Sequence, residues 1–148
     1  GSGNSVHNRF TYRRRVEFRD TDMAGIVHFS VYFVYMEESE HEFLRSVGLG
    51  VFSQLDGETI SWPRVAAACN YRSAIRFEEE VDIHVSLKRI GTTSLTYDHQ
   101  ILRQSDLIAD GTVTAVCCRI QPGQPPEPLE IPQEFLERLT PYQIVSED

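Results

Sequence analysis

Hydrophobic and polar positions alternate near the start of the chain, between residues 10 and 19. Such alternation is typical of a strand with one buried face. We predict a strand over residues 10–19, with the arginines at positions 13–15 on its solvated face and edge. The apolar positions that carry the pattern are Phe10, Tyr12, Val16 and Phe18.

A different period begins after residue 31, where apolar and small side chains recur at steps of three and four. This spacing predicts one face of an α-helix of about five turns, packed into the core because the face is wide and aromatic. The glutamates at positions 37, 38, 40 and 42 lie mostly off that face, and Gly48 is a natural C-terminal stop. The positions on the face are Tyr32, Tyr35, Met36, Ser39, Phe43 and Val47.

The second half of the chain returns to alternation. We predict strands over residues 65–77, 81–88, 95–101 and 107–120, the last central in its sheet because it is apolar on both parities from Val113 on. Residues 49–62 are predicted as a loop with one short helical turn, and residues 132–139 as a short terminal helix. The fold class is therefore α+β, with an antiparallel sheet that curls around one dominant helix.

Composition narrows the function classes. The chain has 148 residues, of which 41% are hydrophobic and 24% charged, and this suits one globular domain. A net charge of -8 disfavours nucleic acid as a partner. No apolar run approaches the roughly 18 residues of a membrane helix, so we expect no membrane association and a cytoplasmic protein. Residues 1–9 are expected to be a disordered start that includes a cloning remnant, and residues 121–148 a C-terminal extension.

The cysteines predict neither a disulfide nor a metal site. Cys117 and Cys118 are adjacent, so on a strand they point to opposite faces and make poor bridge partners. Cys69 is the third, and no pair has the spacing of a zinc site. We expect buried, reduced thiols and no bound metal.

Two carboxylates, Asp20 and Asp22, precede an apolar run and the long helix. The common role of such an Asp is to cap a helix or to close an Asx turn. However, the apolar run and Gly25 would let a ligand approach the backbone closely. A carbonyl held at the positive helix end would be polarised, and Asp22 could attack it or activate a water. We expect Asp20 to be structural, and His28 is the imidazole nearest to this segment.

Other candidate residues carry weaker signals. The basic, hydroxyl-bearing turn at residues 88–93 is either an ordinary hairpin or a phosphate site. His41 lies among glutamates and is expected at the surface, whereas His84 and His99 have no partner that the sequence identifies. The motifs of serine hydrolases, of phosphate-binding loops and of dinucleotide-binding loops are absent from the sequence.

The segment DTDMAGIVHFSVYFVYMEESEHEFLRSVGL, residues 20–49, resembles the signature of the 4-hydroxybenzoyl-CoA thioesterase family. The segment YRSAIRFEEEVDIHV, residues 71–85, is similar to a second block of that family. The resemblance implies a hotdog fold, a curved antiparallel β-sheet wrapped around one long central α-helix. It also implies an acyl-CoA thioesterase that hydrolyses an acyl- or aryl-CoA to free acid and coenzyme A without a separate cofactor.

The resemblance further implies a homodimer, often paired into a tetramer, with active sites at the subunit interface. It assigns the catalytic carboxylate to Asp22, and the N–H that polarises the thioester carbonyl to the backbone of Phe29. His28 is given a secondary role. The residues implied to meet the phosphates of coenzyme A are Lys88, Arg89, Thr92 and Thr93.

The chain departs from the family pattern at Val31, where Asn is common, and at Glu40, where Arg is common. These departures bear on the acyl group and on the interface contacts. Three alternatives remain: a hydratase or dehydratase on the same fold, whose His–acid motif we do not find; a non-catalytic acyl-CoA-binding protein; and a structural protein in which Asp22 merely caps.

Overall fold

The computed structural model describes residues 7–144, and the predicted cloning remnant lies outside that range. None of the helices within residues 7–144 is long and apolar enough to cross a membrane. A five-stranded antiparallel sheet dominates the fold. Its strands are β1 (Phe10–Arg15), β4 (Arg64–Tyr71), β5 (Glu80–Ile90), β6 (Ser94–Arg103) and β7 (Asp106–Val116), and they lie side by side in the order β1-β5-β6-β7-β4.

One long helix, α1 (Val31–Ser46), lies across the sheet. It packs against β1 and β4, which are opposite edges of the sheet, and against β5. A single helix can contact both edges only if the sheet curls around it, so the predicted architecture is confirmed. The predicted apolar face is buried except for Val47, which follows the helix and is half-buried. Three of the four glutamates lie off that face as predicted, whereas Glu40 is fully buried.

A second, four-stranded sheet includes two strands from residues 49–62, which the sequence predicted as loop. Its strands are β2 (Ser53–Leu55), β3 (Glu58–Ser61), β8 (Cys118–Ile120) and β9 (Glu127–Pro128). The prediction for residues 49–62 was wrong, because β2 and β3 form a hairpin that turns at Asp56-Gly57. That dipeptide is a strong hairpin signal. The predicted terminal helix is confirmed as α2 (Gln133–Leu139).

Two of the predicted strands end earlier than predicted, and a third is divided. The strand predicted over residues 65–77 is β4, which ends at Tyr71. The strand that begins at Phe10 ends at Arg15, and Phe18–Asp20 forms a 3-10 turn closed by the Asp20 carboxylate, which accepts the N–H of Glu17 at 2.8 Å. The predicted strand over residues 107–120 is divided at Cys117 between β7 and β8, and so joins two sheets.

The three cysteines carry free thiols. Cys117 and Cys118 are buried, and Cys69 is half-buried. Burial raises the pKa of the Cys117 thiol to about 11, which keeps it protonated at neutral pH. Cys117 therefore packs as a small apolar residue at the point where the chain changes sheets.

The end of α1 is a Schellman motif, which explains why the helix stops where the sequence predicts. Gly48 adopts φ +81° and donates its N–H to the carbonyl of Arg45 (3.0 Å). The N–H of Leu49 donates to the carbonyl of Leu44 (2.8 Å), and both leucine side chains are buried together in the core. Arg138 of α2 also donates to the Gly48 carbonyl (3.1 Å), so α2 helps to hold this end of α1.

We expect Gly48→Ala to lower the free energy of unfolding by about 1–2 kcal/mol, because a Cβ is strained at positive φ. That Cβ would also lie 2.8 Å from Nη1 of Arg138. The matched control is Gly50→Ala, whose Cβ would make only an ordinary contact at 3.5 Å. Denaturant unfolding of both variants tests this, and equal stabilities for the two would contradict it.

Candidate active site

Asp22 lies in a tight turn between the 3-10 turn and α1. Its backbone carbonyl accepts the N–H of Gly25 (3.0 Å), and its Oδ1 accepts the N–H of Ala24 (2.8 Å), which makes an Asx turn. Gly25 closes the turn with φ +80°, a conformation that costs glycine little. Because α1 begins only at Val31, Asp22 does not cap it, and the carboxylate is exposed to solvent.

Asp20 has the structural role that the sequence predicts. It is buried, and its Oδ2 accepts hydrogen bonds from the Tyr35 hydroxyl (2.8 Å) and from Arg14 (3.2 Å). Arg14 was predicted to be solvated, but its side chain is nearly buried and also binds Glu38 of α1. This network fastens the chain just before Asp22 to the helix, so the position of the Asp22 turn is set from inside the protein.

A cavity of about 390 Å³ opens beside Asp22. The Asp22 loop and the start of α1 form one side, and the segment that follows β4 forms the other. Its walls are largely apolar and aromatic, so the carboxylate faces a space suited to an apolar group with one polar end. The lining residues are Asp22, Ile26, Val27, Phe29, Tyr32, Tyr71, Arg72, Ser73 and Ala74.

The backbone N–H of Phe29 is available at this cavity. Neighbouring amides are used, since His28 donates to the Asp20 carbonyl (3.0 Å) and Val31 donates to the His28 carbonyl (2.9 Å). For the Phe29 N–H, no acceptor is found within residues 7–144. An unsatisfied backbone donor beside the first turn of a helix can bind an oxyanion.

His28 supports the start of α1 rather than the cavity. Its Nδ1 lies 2.8 Å from the Ser30 hydroxyl and accepts the Ser30 N–H at 3.3 Å. The ring packs beside that of Phe29, with centroids 4.7 Å apart, and it is not part of the cavity lining. Because Nδ1 is an acceptor here, the neutral ring carries its proton on Nε2.

Two tyrosines form the aromatic wall of the cavity, and the sequence analysis gave neither a role at the site. The rings of Tyr32 and Tyr71 meet edge to face, with centroids 4.8 Å apart at 89°. The Tyr71 hydroxyl donates to the backbone carbonyl of Phe29 at 2.8 Å. Burial raises the pKa of both phenols, so both are hydrogen-bond donors at neutral pH.

Arg72 is the cationic side chain of the cavity lining. Its guanidinium donates to Asp110 from Nε (3.1 Å) and Nη2 (2.5 Å), and Asn70 donates to the same carboxylate (3.0 Å). The hydrogen bonds from Asn70 and Arg72 hold the pKa of Asp110 below its usual range. Arg72 is therefore fixed in place with its charge largely balanced.

The residues predicted to meet coenzyme A phosphates lie far from Asp22 in this chain. Lys88 and Arg89 end β5, and Thr92 and Thr93 form the turn into β6. The Asp22 cavity adjoins the end of β4, which lies at the opposite end of the sheet from this turn. The length of β5 separates the two ends, and its 11 residues span about 33 Å. One chain cannot bring both groups to one small molecule, so this prediction requires a second copy.

A buried charged cluster beneath α1 was missed by the sequence analysis. Glu40 and His99 are fully buried, with Oε2 of Glu40 2.7 Å from Nε2 of His99. Arg64 of β4 binds the other oxygen of Glu40. His41, expected at the surface, is also partly buried, and this burial lowers its pKa. No local signal could have paired Glu40 with His99, because the two are 59 residues apart.

Comparison with known proteins decides the family. Residues 16–139 match the Thioesterase-like superfamily. The chain belongs to this superfamily. The predicted family and the hotdog fold are thereby confirmed.

Members of the thioesterase superfamily resemble the chain along most of its length. A relative from Aquifex aeolicus, named "Putative esterase", is 32% identical and covers 88% of this chain and 97% of its own. A 1,4-dihydroxy-2-naphthoyl-CoA hydrolase from a Synechococcus species is 27% identical over 70% of this chain and 72% of its own. The solved structure of BH1999 gentisyl-coenzyme A thioesterase superposes with a TM-score of 0.77 at 29% identity, over 88% of this chain and 99% of that one.

Within this thioesterase fold, the structure brings together only part of the predicted site. Asp22 and Phe29 line one cavity. His28 is adjacent in sequence but turns to Ser30. The turn at residues 88–93 lies at the far end of the sheet. The catalytic roles of these residues remain predictions.

Proposed function

We propose that this protein hydrolyses a coenzyme A thioester of a small aromatic acid, with Asp22 as the reacting carboxylate. The observation that carries the proposal is one largely apolar and aromatic cavity that both Asp22 and Phe29 line, where the Phe29 N–H has no acceptor among residues 7–144. Membership of the superfamily makes the chain a thioester hydrolase, as the sequence predicts.

In this proposal the thioester carbonyl oxygen accepts the N–H of Phe29, which stabilises the negative charge that develops on that oxygen. Asp22 either bonds to the carbonyl carbon, giving an acyl–aspartyl anhydride that water then hydrolyses, or takes a proton from a water that attacks the same carbon. In both routes the carbon–sulfur bond breaks, coenzyme A leaves as a thiolate, and the carboxylic acid is the other product.

The aromatic acyl group is inferred from the walls of the cavity. Phe29, Tyr32 and Tyr71 offer ring edges and faces, which favour an aromatic guest over a flexible chain. Two of the relatives are named for aromatic acyl groups, 1,4-dihydroxy-2-naphthoyl and gentisyl, which agrees with this preference.

We also propose a homodimer formed through β4. One side of β4 pairs with β7, and the other side has no partner strand within residues 7–144. The exposed stretch Val65–Ala68 carries only small apolar side chains, whereas the opposite edge strand, β1, is protected by exposed Arg13 and Arg15. Antiparallel pairing of two β4 strands about a two-fold axis would satisfy this edge.

Such a dimer would bring the turn at residues 88–93 of one copy to the same end of the sheet as the Asp22 cavity of the other copy. A two-fold axis perpendicular to the sheet reverses the partner, so its β5–β6 turn lies at the same end as the Asp22 cavity of this chain. Counting strands at about 4.8 Å each puts that turn about 15–20 Å from Tyr71, within reach of an extended coenzyme A arm. We therefore retain Lys88, Arg89, Thr92 and Thr93 as phosphate-binding residues that act across the interface.

The dimer is tested by Ala67→Lys, which places two lysines near the two-fold axis. We expect the dimer to dissociate, because like charges repel and lysine blocks strand pairing. The control is Phe52→Lys, which adds the same charge at an exposed apolar residue away from β4. Sedimentation measures both; a monomeric wild type, or an Ala67→Lys dimer as stable as wild type, would contradict the interface.

The activity is tested by measuring thiol release from a panel of aromatic, short-chain and long-chain acyl-CoAs. We expect the highest kcat/KM with aromatic acyl groups. Binding of acyl-CoA without release of thiol across the panel would support the non-catalytic acyl-CoA-binding alternative. A preference for long aliphatic chains would keep the enzyme but refute the aromatic specificity.

A further inference from the structure

We infer that Tyr71 is a positioning residue that holds the Phe29 N–H in place for the oxyanion. This inference rests on the proposed function, since it assigns a task to the donor in that proposal. It begins with the hydrogen bond of 2.8 Å from the Tyr71 hydroxyl to the Phe29 carbonyl, which joins residues 42 positions apart.

The Phe29 carbonyl has lost the partner that a continuing helix would give it. In an α-helix this carbonyl would accept the N–H of the residue four positions later, Phe33. The Phe33 N–H instead donates to the Ser30 carbonyl, three positions back, at 3.3 Å. Tyr71 supplies a donor for this carbonyl from outside the helix.

Hydrogen bonds of the backbone, rather than packing in the core, fix Phe29. Its side chain is 64% exposed, so core packing does not hold it. Its neighbours are held on both sides, by the His28–Asp20 backbone bond and by the His28–Ser30 side-chain contact. The Phe29 N–H shares a planar peptide unit with the His28 carbonyl, which accepts the Val31 N–H at 2.9 Å. The bond from Tyr71 holds the next peptide unit, so the two bonds together fix the backbone on both sides of the Phe29 Cα.

Tyr71 is itself rigidly mounted. It ends β4, where its backbone pairs with Ala109 of β7, and its ring meets Tyr32 edge to face. Burial and the neighbouring Cys69 raise the pKa of the phenol, so the hydroxyl keeps its proton at neutral pH and can donate. Through this hydrogen bond, β4 on one side of the cavity holds the segment before α1 on the other side.

The test is Tyr71→Phe, which keeps the ring and its contact with Tyr32 but removes the hydroxyl. We expect kcat to fall about five- to tenfold, the loss that one hydrogen bond of about 1 kcal/mol predicts. KM and the Kd of a non-hydrolysable thioether analogue should change less than about twofold, because the N–H acts on the charge that develops in the transition state.

The control is Tyr12→Phe, which removes a hydroxyl that bonds Glu38 of α1 at 3.3 Å, away from the cavity. We expect its kcat to equal that of wild type. Equal kcat values for Tyr71→Phe and wild type would overturn the inference, whereas an Asp22→Asn variant that stays active would overturn the proposed mechanism instead. A larger change in Kd than in kcat would make Tyr71 a binding residue and would also overturn it.

A second measurement needs no substrate. Hydrogen exchange of the amides from Phe29 to Phe33 should be faster in Tyr71→Phe than in wild type, because the Phe29 peptide is released. In Tyr12→Phe these amides should exchange as in wild type. Unchanged exchange in Tyr71→Phe would show that the tether does not position Phe29, whatever the activity of the enzyme.

Discussion

Asp22→Asn is expected to lower kcat about a hundredfold or more, the usual loss when a reacting carboxylate is removed. The variant should fold like wild type, because the amide oxygen of Asn can accept the Ala24 N–H and so keep the Asx turn. What it loses is the negative charge that would attack the thioester or take a proton from water. The measurement is thiol release with the best substrate of the acyl-CoA panel.

The matched control is Asp56→Asn, an exposed Asp in the β2–β3 turn, where Asn is equally suited to the positive φ of 53°. Its kcat should equal that of wild type. If Asp22→Asn keeps full activity, Asp22 only closes its turn and another group must supply the chemistry. A loss of activity with unchanged binding of the thioether analogue would place the effect on the chemical step.

Glu40→Gln is expected to lower the free energy of unfolding by about 3 kcal/mol. Removing one partner of a buried ion pair costs about 3–5 kcal/mol, and the lower end applies here because the Arg64 side chain is 26% exposed. Glu40 accepts from Arg64 with one oxygen and faces Nε2 of His99 with the other. The Gln side chain has the same shape, but its amide nitrogen would face one of these two donors.

The matched control is Glu42→Gln on the same helix. Glu42 pairs with Arg45, and both side chains are about half exposed, so this change should cost no more than about 0.5 kcal/mol. Denaturant unfolding of both variants gives the comparison. A Glu40→Gln protein within about 0.5 kcal/mol of wild type would mean that the buried cluster contributes little to stability.

The main elements of the fold could be predicted from the sequence because their signals are local. The alternation from Phe10, the three-four spacing from Tyr32 and the stop at Gly48 each depend on side chains a few residues apart. The hairpin at Asp56-Gly57 carried an equally local signal and was nevertheless missed. The family signature placed Asp22 and Phe29 at the site for the same reason: both lie in one continuous segment.

The tertiary structure decided every contact between distant segments. Glu40 lies four residues after Met36 on the buried face of α1, but only the fold shows that His99 and Arg64 are its partners there. Likewise, Tyr71 is the last residue of a strand, and only the fold brings its hydroxyl to the Phe29 carbonyl.

The sequence by itself thus determined most of the elements and the family, and it predicted Asp22 as the reacting carboxylate, since periodicity and a contiguous motif are properties of neighbouring residues. The tertiary structure alone decided which groups surround that carboxylate. The walls of the cavity come from the end of β4 and the start of α1, and the turn at residues 88–93 lies at the other end of the sheet. The curl of the sheet around α1 sets these positions, because it fixes which strand ends approach the start of the helix.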